Sequence, residues 1–505
     1  MDHKHVLRAL SGLLTVLFAA MLSSTVVSVA LPQIIGSLNG TQSQYTWVVT
    51  ATLLASTAST PIWGKLADLF SKKLLLQTSI TIFVVGSLGA GFSQNTSQLI
   101  GFRAVQGLGM GALQVLVQVV IAAMVSPRER GRYNGYLGAV MAVSTVGGPL
   151  LGGAITDVSW LGWRWCFFIA LPFTVVASFI LSRTLHLQDV RRPETKVDYW
   201  GASLIAAGVS LLLLWVTFVD NSFAWLSWQS ATMVVGAVVL LGAALWVESR
   251  VDEPVIPLHI ITRRDPALAI TASLAVGMAM FGGAVFLGQY FQIGRGYSPT
   301  QAGLLTMPLM AGVLVSSTVA GRIVSKTGKP KPVVLIGVVV LVLGFLGLST
   351  IGHETSLVAV SAGMATVGVG VGMSMQNLVL ILQNSVPLKE LGAASGAITF
   401  FRSLGGTIGV SVLGAVLANT VSTKITEGLA ELGIKAGSGG GGSTLNIKAL
   451  PAPVQEVVRT SYGDATGHIF LISAIIAAVG AVAALFLSPV TLRDSVDLPG
   501  QSTDD

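Results

Sequence analysis

Long apolar runs separated by short polar segments dominate this 505-residue chain. Each run is continuous over about 20 residues, the length that an α-helix needs to cross the hydrocarbon core of a bilayer. A transmembrane β-barrel would instead alternate over about ten residues per strand. The pattern therefore predicts an all-α polytopic membrane protein. Its fourteen predicted spans are residues 10–34, 47–63, 74–92, 99–125, 133–155, 165–181, 200–219, 231–247, 267–291, 302–324, 333–351, 357–382, 392–418 and 469–487.

Composition narrows the class further. Hydrophobic residues make up 52% of the chain and charged residues only 10%, against about a quarter in soluble proteins. The single cysteine, Cys166, excludes an intramolecular disulfide and a cysteine metal cluster. No His/Glu metal pattern and no phosphate-binding Gly-Lys-Ser/Thr loop occurs. We therefore expect no catalytic residues, no metal and no cofactor. The first apolar run lacks a small-residue cleavage site, so we interpret it as a retained helix.

The distribution of basic residues predicts the orientation. Most of the 29 Lys and Arg residues fall in short loops on one side of the predicted topology. By the positive-inside rule, that side is cytoplasmic, and both termini lie there in a multi-pass protein of the cell membrane. The net charge of +7 arises largely from these loops, so it does not indicate nucleic-acid binding. The main clusters are Lys65/Lys72/Lys73, Arg128/Arg130/Arg132, Arg191/Arg192, Arg263/Arg264 and Lys326/Lys329/Lys331.

Two segments repeat at nearly the same offset. Residues 64–73 read Gly-Lys-Leu-Ala-Asp-Leu-Phe-Ser-Lys-Lys, and residues 321–330 read Gly-Arg-Ile-Val-Ser-Lys-Thr-Gly-Lys-Pro, 257 positions later. Residues 396–406 echo the stretch from Gly138 with an offset of 258. These matches predict a duplicated six-helix unit, an arrangement typical of transporters whose substrate site lies between the halves.

The repeat also predicts the domain boundaries. We expect a six-helix bundle over residues 1–184, a linker with two inserted helices over 185–265, and a second bundle over 266–490. Residues 491–505 are polar and are expected to form a disordered tail. The run at 437–443, Gly-Ser-Gly-Gly-Gly-Gly-Ser, is typical of a flexible linker.

The fifth predicted span is unusually rich in small residues and contains a proline. Small residues allow close approach of two helix backbones, and proline kinks a helix. One interpretation is a packing seam alone, and the other is a kinked helix at the interface of two moving bundles. The predicted seam residues are Gly138, Gly147, Gly148, Pro149, Gly152 and Gly153, with Gly405 and Gly406 in the echo.

Arg103 in the fourth span and Asp68 after the second are the strongest functional candidates. A charge inside an apolar span is costly and usually marks function. Arg103 and Gln106 share one helix face and could couple proton movement, unless Arg103 snorkels to the interface. Asp68 could cap a helix of the opposite bundle as a latch, unless its loop is only a solvated turn.

Polar residues inside other spans could line a substrate cavity, although such residues also hold helices together. None of the 22 Asp and Glu residues falls in the middle of a span. A titratable group for proton coupling would therefore lie at a boundary, as do Asp157, Asp220, Glu248 and Asp68. The cavity candidates are Thr25, Gln289, Tyr290, Gln376, Asn377 and Arg402.

Together these motifs resemble the major facilitator superfamily and, within it, the fourteen-span drug:proton antiporter branch. Residues 64–73 are similar to the cytoplasmic-loop motif of the family, with Ser71 where the motif has Gly. Arg103-Ala-Val-Gln-Gly resembles the fourth-helix motif, whose arginine the family uses in proton coupling. The stretch from Gly138 to Gly153 resembles the antiporter motif, and Trp163-Arg-Trp resembles the start of the sixth helix.

One position departs from that branch. Its first helix usually carries an acidic residue where this chain has Ser23, and Asn where it has Ser28. The resemblance implies a monomeric exporter of small amphipathic molecules in the lipid bilayer, driven by the proton gradient. The absence of the acid favours a second possibility, a facilitator or importer of a small organic solute. A membrane enzyme or receptor would need a catalytic cluster or an added domain, and neither is evident in loops this short.

Overall fold

The structure is a computed structural model that describes residues 3–39, 42–157, 162–185, 198–219, 222–251, 253–432 and 451–493. Throughout these ranges the regular elements are helices, which confirms the predicted fold class. The predicted linker at 437–443, most of the predicted tail and the boundary candidate Asp220 lie outside the described residues.

Seventeen α-helices form the described part of the chain. A five-residue π-helix, Tyr290–Gly294, follows α11, and a 3-10 turn, Leu388–Glu390, precedes α16. The α-helices are α1 (His3–Ser37), α2 (Gln42–Leu69), α3 (Lys72–Gly91), α4 (Thr96–Met124), α5 (Pro127–Asp157), α6 (Trp165–Phe168), α7 (Leu171–Thr184), α8 (Tyr199–Phe218), α9 (Trp228–Glu248), α10 (Leu258–Thr262), α11 (Arg264–Gln289), α12 (Pro299–Leu305), α13 (Met307–Thr327), α14 (Pro330–Leu348), α15 (Leu357–Asn384), α16 (Leu391–Glu431) and α17 (Ala452–Leu485).

Thirteen helical segments of the described chain are long and apolar enough to cross a membrane. Two of the fourteen predicted spans consist of two consecutive helices each, α6 with α7 and α12 with α13. The second predicted span forms α2, whose 28 residues extend about 42 Å. The α2 helix is not among the thirteen segments because it is less apolar than they are. It carries buried hydroxyls such as those of Thr52, Thr57 and Thr60. A helix buried against protein can accommodate such groups better than a helix that faces lipid.

Local sequence signals set several helix ends. The Asn95 side chain accepts a hydrogen bond from the Gln98 amide at 2.9 Å and begins α4. Ser298 and Gln301 form a reciprocal capping box at α12. Gly328 ends α13 in the left-handed conformation, at φ 68°, and Pro330 starts α14 two residues later. Gly at a helix end and Pro at the next helix start therefore produce a tight turn.

Two helices extend well beyond the predicted spans. The run predicted at 392–418 becomes α16, which continues to Glu431, and the run predicted at 469–487 becomes α17, which already begins at Ala452. The extensions pack on each other, with Leu417, Val421 and Ile425 of α16 in one apolar cluster with residues of α17. These residues recur every four positions and so form an amphipathic stripe. A search for continuous apolar runs cannot detect such a stripe.

The helices before and after the inserted pair form two sets. In the N-terminal set, α1–α7, α4 packs against α2 and α3, and α1 packs against α5 and α7. In the C-terminal set, α11–α17, α15 packs against α13 and α14, and α11 packs against α16 and α17. The inserted helices α8 and α9 pack on each other, and α8 also contacts α2 and α16.

The two sets meet where α2 crosses α16. Here Gly64 of α2 lies against Gly392 of α16, and a Cβ on either glycine would collide with the carbonyl oxygen of the other. One turn further along α16, a Cβ at Gly396 would lie 3.2 Å from the Thr60 carbonyl oxygen. Small residues thus bring the two backbones into direct contact.

The second crossing, between α5 and α13, is related to the first by the sequence repeat. Gly131 of α5 lies against Gly321 of α13, and Gly138 lies against the Ser317 side chain. Ser317 and Gly138 are 257 and 258 positions from Thr60 and Gly396, so the duplicated unit makes the same contact twice. Both crossings lie at the end of the molecule where α2 and α13 end and where α5 and α16 begin. We call this end the Asp68 end.

We predict that Gly321→Leu separates α13 from α5, since the new side chain would collide with the Gly131 backbone. Overpacking of this kind costs about 1–3 kcal/mol. In a Cys166→Ser background, the rate at which N-ethylmaleimide alkylates a cysteine at the buried position Ser317 should rise. Gly347→Leu is the matched control, because a Cβ at this α14 glycine meets open space. An equal rate in both variants would contradict the proposed contact.

Candidate functional site

Asp68 links the two helix sets at the first crossing. Its carboxylate oxygens accept hydrogen bonds from the backbone amides of Gly392, at 2.7 Å, and Ala393, at 2.8 Å. These amides belong to the first turn of α16, whose N–H groups have no partner within the helix and carry the positive end of its dipole. A carboxylate from the N-terminal set thus caps a helix of the C-terminal set. The latch hypothesis requires this placement.

The second crossing has a counterpart at Ser325, which is 257 positions after Asp68. The Ser325 hydroxyl accepts a hydrogen bond from the Arg132 amide at 2.9 Å, and the Arg128 guanidinium donates to the carbonyls of Ser325, at 3.1 Å, and Lys326, at 3.0 Å. Both crossings therefore carry charge-assisted hydrogen bonds, which are roughly twice as strong as those between neutral groups. The charge belongs to a carboxylate at the first crossing and to a guanidinium at the second.

A short segment after the inserted helices contacts both sets at the Asp68 end. The buried Lys65 of α2 pairs with Glu253 at 2.5 Å, while His259 of α10 lies 2.6 Å from Glu390, the residue before α16. Glu248, at the end of α9, accepts hydrogen bonds from two backbone amides of the same segment, at 3.0 and 2.9 Å. The segment 249–263 thus connects the inserted pair to the first crossing. The sequence does not predict this connection, because each residue of these pairs looks like any other charged residue in a loop.

Arg130 is a second contact that the sequence did not reveal. It is buried, and its guanidinium donates to the carbonyls of Val125, at 3.0 Å, and Ala122, at 2.6 Å. These carbonyls belong to the last turn of α4, where a cation is favoured by the helix dipole. The sequence signal that could have predicted this contact is the position of Arg130, a few residues after the end of a long helix. From sequence alone, the cluster Arg128/Arg130/Arg132 indicates only the orientation of the chain.

Arg103 and Gln106 lie in a buried polar network inside the N-terminal set. The Arg103 guanidinium donates to the Gln106 side-chain oxygen at 2.6 Å. The Gln106 amide donates to the hydroxyls of Ser87, at 2.8 Å, and Ser23, at 3.1 Å. The exposed fraction of Arg103 is only 3%, so it does not snorkel into solvent in this arrangement. Ser23 therefore lies in the same network as Arg103 and Gln106.

The predicted seam residues fall in two different environments. Gly138 lies at the crossing with α13, between the two sets. Gly148 instead packs against Thr25 of α1, and Gly147 lies near Leu22, so both contacts are within the N-terminal set. Gly152 is buried in α5. Pro149, Gly153 and Asp157 also belong to α5, but their side chains lie outside the described part of the structure.

The echo glycines likewise pack within one set. Gly405 lies against Leu274 and Gly406 against Phe281, both residues of α11. The glycines of α16 that contact the N-terminal set are instead Gly392 and Gly396, about ten residues earlier. The expected tight contacts of α5 and α16 do exist at the interface. They involve the first turns of these helices more than their central motifs.

Two of the predicted cavity residues, Thr25 and Tyr290, serve packing in this arrangement. The Thr25 hydroxyl donates to the Ser144 carbonyl at 3.0 Å and joins α1 to α5. Tyr290 is fully buried, and its hydroxyl donates to the Gly352 carbonyl at 2.9 Å, at the end of the molecule opposite Asp68. Gln289, next to it, is exposed.

The other three cavity candidates are buried in the C-terminal set. The Gln376 amide of α15 lies 3.9 Å from the Met141 sulfur of α5, a contact between the two sets. Asn377 donates to the Met373 carbonyl of its own helix at 2.7 Å. Arg402 of α16 is 5% exposed and makes no hydrogen bond or ion pair with the described residues. The structure therefore brings Gln376 to the interface between the sets.

The contacts between the two helix sets are suited to conformational change and not to catalysis. Within the described ranges, no three His, Cys, Asp or Glu side chains are placed to hold a metal ion. The polar contacts between the sets are concentrated at the Asp68 end, where hydrogen bonds to backbone groups can break and re-form without covalent chemistry. Such contacts can close one end of a pathway between the sets and open it again.

Comparison with known proteins identifies the family. The model of the Major Facilitator Superfamily matches residues 13–410, which is well over half of the chain. The chain belongs to the major facilitator superfamily. This family consists of membrane transporters, so the protein is a multi-pass membrane transporter and not an enzyme.

Relatives within the superfamily cover nearly the whole chain. The multidrug transporter protein MdtP of Bacillus subtilis is 32% identical over 510 residues, which covers 96% of this chain and 93% of that protein. The efflux pump dotC of Dothistroma septosporum is 32% identical over 96% of this chain and 84% of its own length. The solved structure of the proton:xylose symporter XylE superposes with a TM-score of 0.64 over 97% of each chain, at 14% identity. The superposition supports the major facilitator fold.

We predict that Asp68→Asn weakens closure of the Asp68 end, because asparagine has no charge and only one acceptor oxygen for the two amides. A loss of about 2 kcal/mol would shift the equilibrium between closed and open forms roughly thirtyfold. Spin labels at Leu74 and Lys389, both exposed at this end, should show a longer distance in double electron–electron resonance.

Glu129→Gln is the matched control for that measurement, since Glu129 is an exposed acid at the same end. It should leave the distance distribution unchanged. If Asp68→Asn gave the same distribution as the wild type, Asp68 would not act as a latch.

Proposed function

We propose that this transporter is a multidrug exporter of the fourteen-span drug:proton antiporter branch. It moves small amphipathic molecules out of the cell by alternating access, as a monomer, with the proton gradient as its only energy source and no cofactor. The names of MdtP and dotC, the whole-length similarity to both and the motifs of the second, fourth and fifth helices support this proposal.

The Asp68 end is the cytoplasmic end. Lys65, Lys72, Lys73, Arg128 and Lys326 all lie there, and the positive-inside rule assigns such clusters to the cytoplasm. Both termini are then cytoplasmic. The arrangement described above is accordingly closed toward the cytoplasm, since both crossings and the Asp68 bonds lie on that side.

The pair of repeat-related crossings is the observation that carries the mechanism. Alternating access requires an end that closes firmly and opens reversibly. Two hydrogen bonds to a carboxylate contribute about 1.5–3 kcal/mol each, while about 5.5 kcal/mol of differential binding is enough to reverse a 1:99 equilibrium. The contribution of the Asp68 bonds to closure is therefore of a size that substrate or proton binding can offset.

Proton coupling is assigned to Arg103 and Gln106 in the N-terminal set, together with carboxylates at the helix ends. Because Ser23 is neutral, the network around Arg103 cannot release a proton from a carboxyl group at that position. Asp68 and Asp157 remain the candidates for that step. A fixed buried cation such as Arg103 would disfavour protonation of nearby groups and so bias the direction of proton movement.

Ser23 also favours a second candidate function, a facilitator or importer that uses the same fold without proton coupling. A transporter with no titratable group in its core can still alternate between its two openings as substrate binds and leaves. The two functions differ in whether a proton gradient drives accumulation against a concentration gradient.

Everted membrane vesicles can separate the two functions. With the energised membrane acidifying the vesicle interior, we expect uptake of an amphipathic fluorescent dye above its external concentration, and we expect an uncoupler to abolish it. Vesicles without the protein are the control. Equilibration of the dye without accumulation, unaffected by the uncoupler, would support the facilitator and overturn proton-driven export.

We predict that Arg103→Ala abolishes accumulation driven by the pH gradient while the protein still reaches the membrane. Arg103→Lys keeps the charge and should retain part of the activity. Arg183→Ala removes an exposed arginine at the end of α7 and is the matched control. Full accumulation by Arg103→Ala would remove Arg103 from the coupling mechanism.

A further inference from the structure

Six buried polar atoms of the C-terminal set lack a hydrogen-bond partner among the described residues, two of them on His353 and Asn384 near the helix ends. The other four are a guanidinium nitrogen of Arg402, the hydroxyls of Thr399 and Ser273, and the side-chain oxygen of Gln376. Each of these four residues is 5% exposed or less. A buried polar group without a partner costs about 1–3 kcal/mol, and a charged group costs more. Sites of this kind are uncommon in folded proteins and call for an explanation.

These atoms lie on three helices that pack pairwise. Thr399 and Arg402 are three residues apart and share one face of α16. The α16 backbone at Arg402 lies against Gly277 of α11, and Ser273 is one turn before Gly277 on the same helix face. Gln376 lies on α15, which contacts both other helices. Ser273, Thr399 and Arg402 therefore lie on the two helices that cross at Gly277, and Gln376 lies on the helix that packs against both; we call this region the junction of α11, α15 and α16.

The junction is near the middle of the membrane and beside the interface of the two sets. Arg402 is ten residues from Gly392, or about 15 Å along α16, in a hydrocarbon core about 30 Å thick. Gln376 contacts Met141 of the N-terminal set, and Thr399 follows Gly396, which packs against α2. A substrate passing between the sets would travel next to this junction.

Hydrogen bonding distinguishes Arg402 from the other buried arginines. Arg103 donates to Gln106 and Arg130 donates to two backbone carbonyls, although one nitrogen of each is also buried without a partner. Arg402 has neither kind of partner among the described residues, and no Asp or Glu occupies the middle of a predicted span. A guanidinium that the protein leaves unpaired at mid-membrane is suited to bind a carboxylate or sulfonate, which it can contact in two places.

We propose that Arg402 binds the anionic group of an amphipathic substrate, with the hydroxyls of Thr399 and Ser273 as additional donors. This inference rests on the proposed export function and specifies its substrate class. Lipophilic cations should be poorer substrates, since Arg103 and Arg402 both place positive charge in the membrane interior. Gln376 offers an oxygen that could accept a hydrogen bond from a polar group of the substrate.

Two xanthene dyes of similar size and opposite charge test the proposal in everted vesicles. We expect the wild type to transport fluorescein, an anion, with a higher kcat/KM than rhodamine 123, a cation. Arg402→Gln should raise the KM for fluorescein about tenfold, the loss expected for one charge-assisted contact, and should change rhodamine 123 transport less than twofold. Arg402→Lys should lie between the wild type and Arg402→Gln.

Arg322→Gln is the matched control, because it removes an exposed arginine of α13 at the Asp68 end. It should change transport of neither dye. Transport of rhodamine 123 but not fluorescein by the wild type would overturn the anion site and leave export intact, and this comparison needs no variant. Equal losses for both dyes in Arg402→Gln would assign Arg402 a structural role. Failure to transport either dye would contradict the export function itself.

Discussion

The closed end of this transporter depends on direct contact between helix backbones. Two helices can approach so closely only where neither places a side chain at the crossing, and Gly64 with Gly392, and Gly131 with Gly321, provide this condition. Apolar residues of the N-terminal set, among them Ala58, Ala122 and Met141, also pack on the main apolar cluster of the C-terminal set, so hydrophobic burial contributes to the contact between the sets. The hydrogen bonds of Asp68 add to this burial where the backbones meet.

The two crossings are similar in backbone geometry but differ in their polar contacts. At one, Asp68 offers two charged oxygens to the first turn of α16, whereas at the other Ser325 accepts from the Arg132 amide and Arg128 donates to two carbonyls of α13. The inserted helix α8 packs on α2 and α16, and Lys65 pairs with Glu253 beside them. The inserted helices and their ion pair therefore add contacts at the α2–α16 crossing.

Hydropathy and repeats predicted the framework because both are properties of the chain alone. Runs of about 20 apolar residues correspond to membrane spans, and the fold class and family were confirmed by the structure and the family match. The helices that pack against small residues could not be predicted from the sequence. Gly138 and Gly148 lie in one helix and look alike in sequence, yet Gly138 meets the opposite set and Gly148 meets α1. A glycine in a helix indicates that another part of the chain packs closely against it. Which helix that is depends on the tertiary structure.

Polar residues show the same limit more clearly. The sequence indicated that Arg103 and Gln106 share a face, but the contact with Ser23, 83 positions away, required the folded chain. The amide of Gln106 donates to Ser23 and Ser87 while its oxygen accepts from Arg103, so the network is neutral apart from one guanidinium. If protons drive this transporter, the group that carries them must then lie at a helix end. Asp68 lies at such an end and also bonds across the two sets, so a change in its protonation would act directly on closure. In that case the Asp68 carboxylate would both bind the proton and hold the two helix sets together at the Asp68 end.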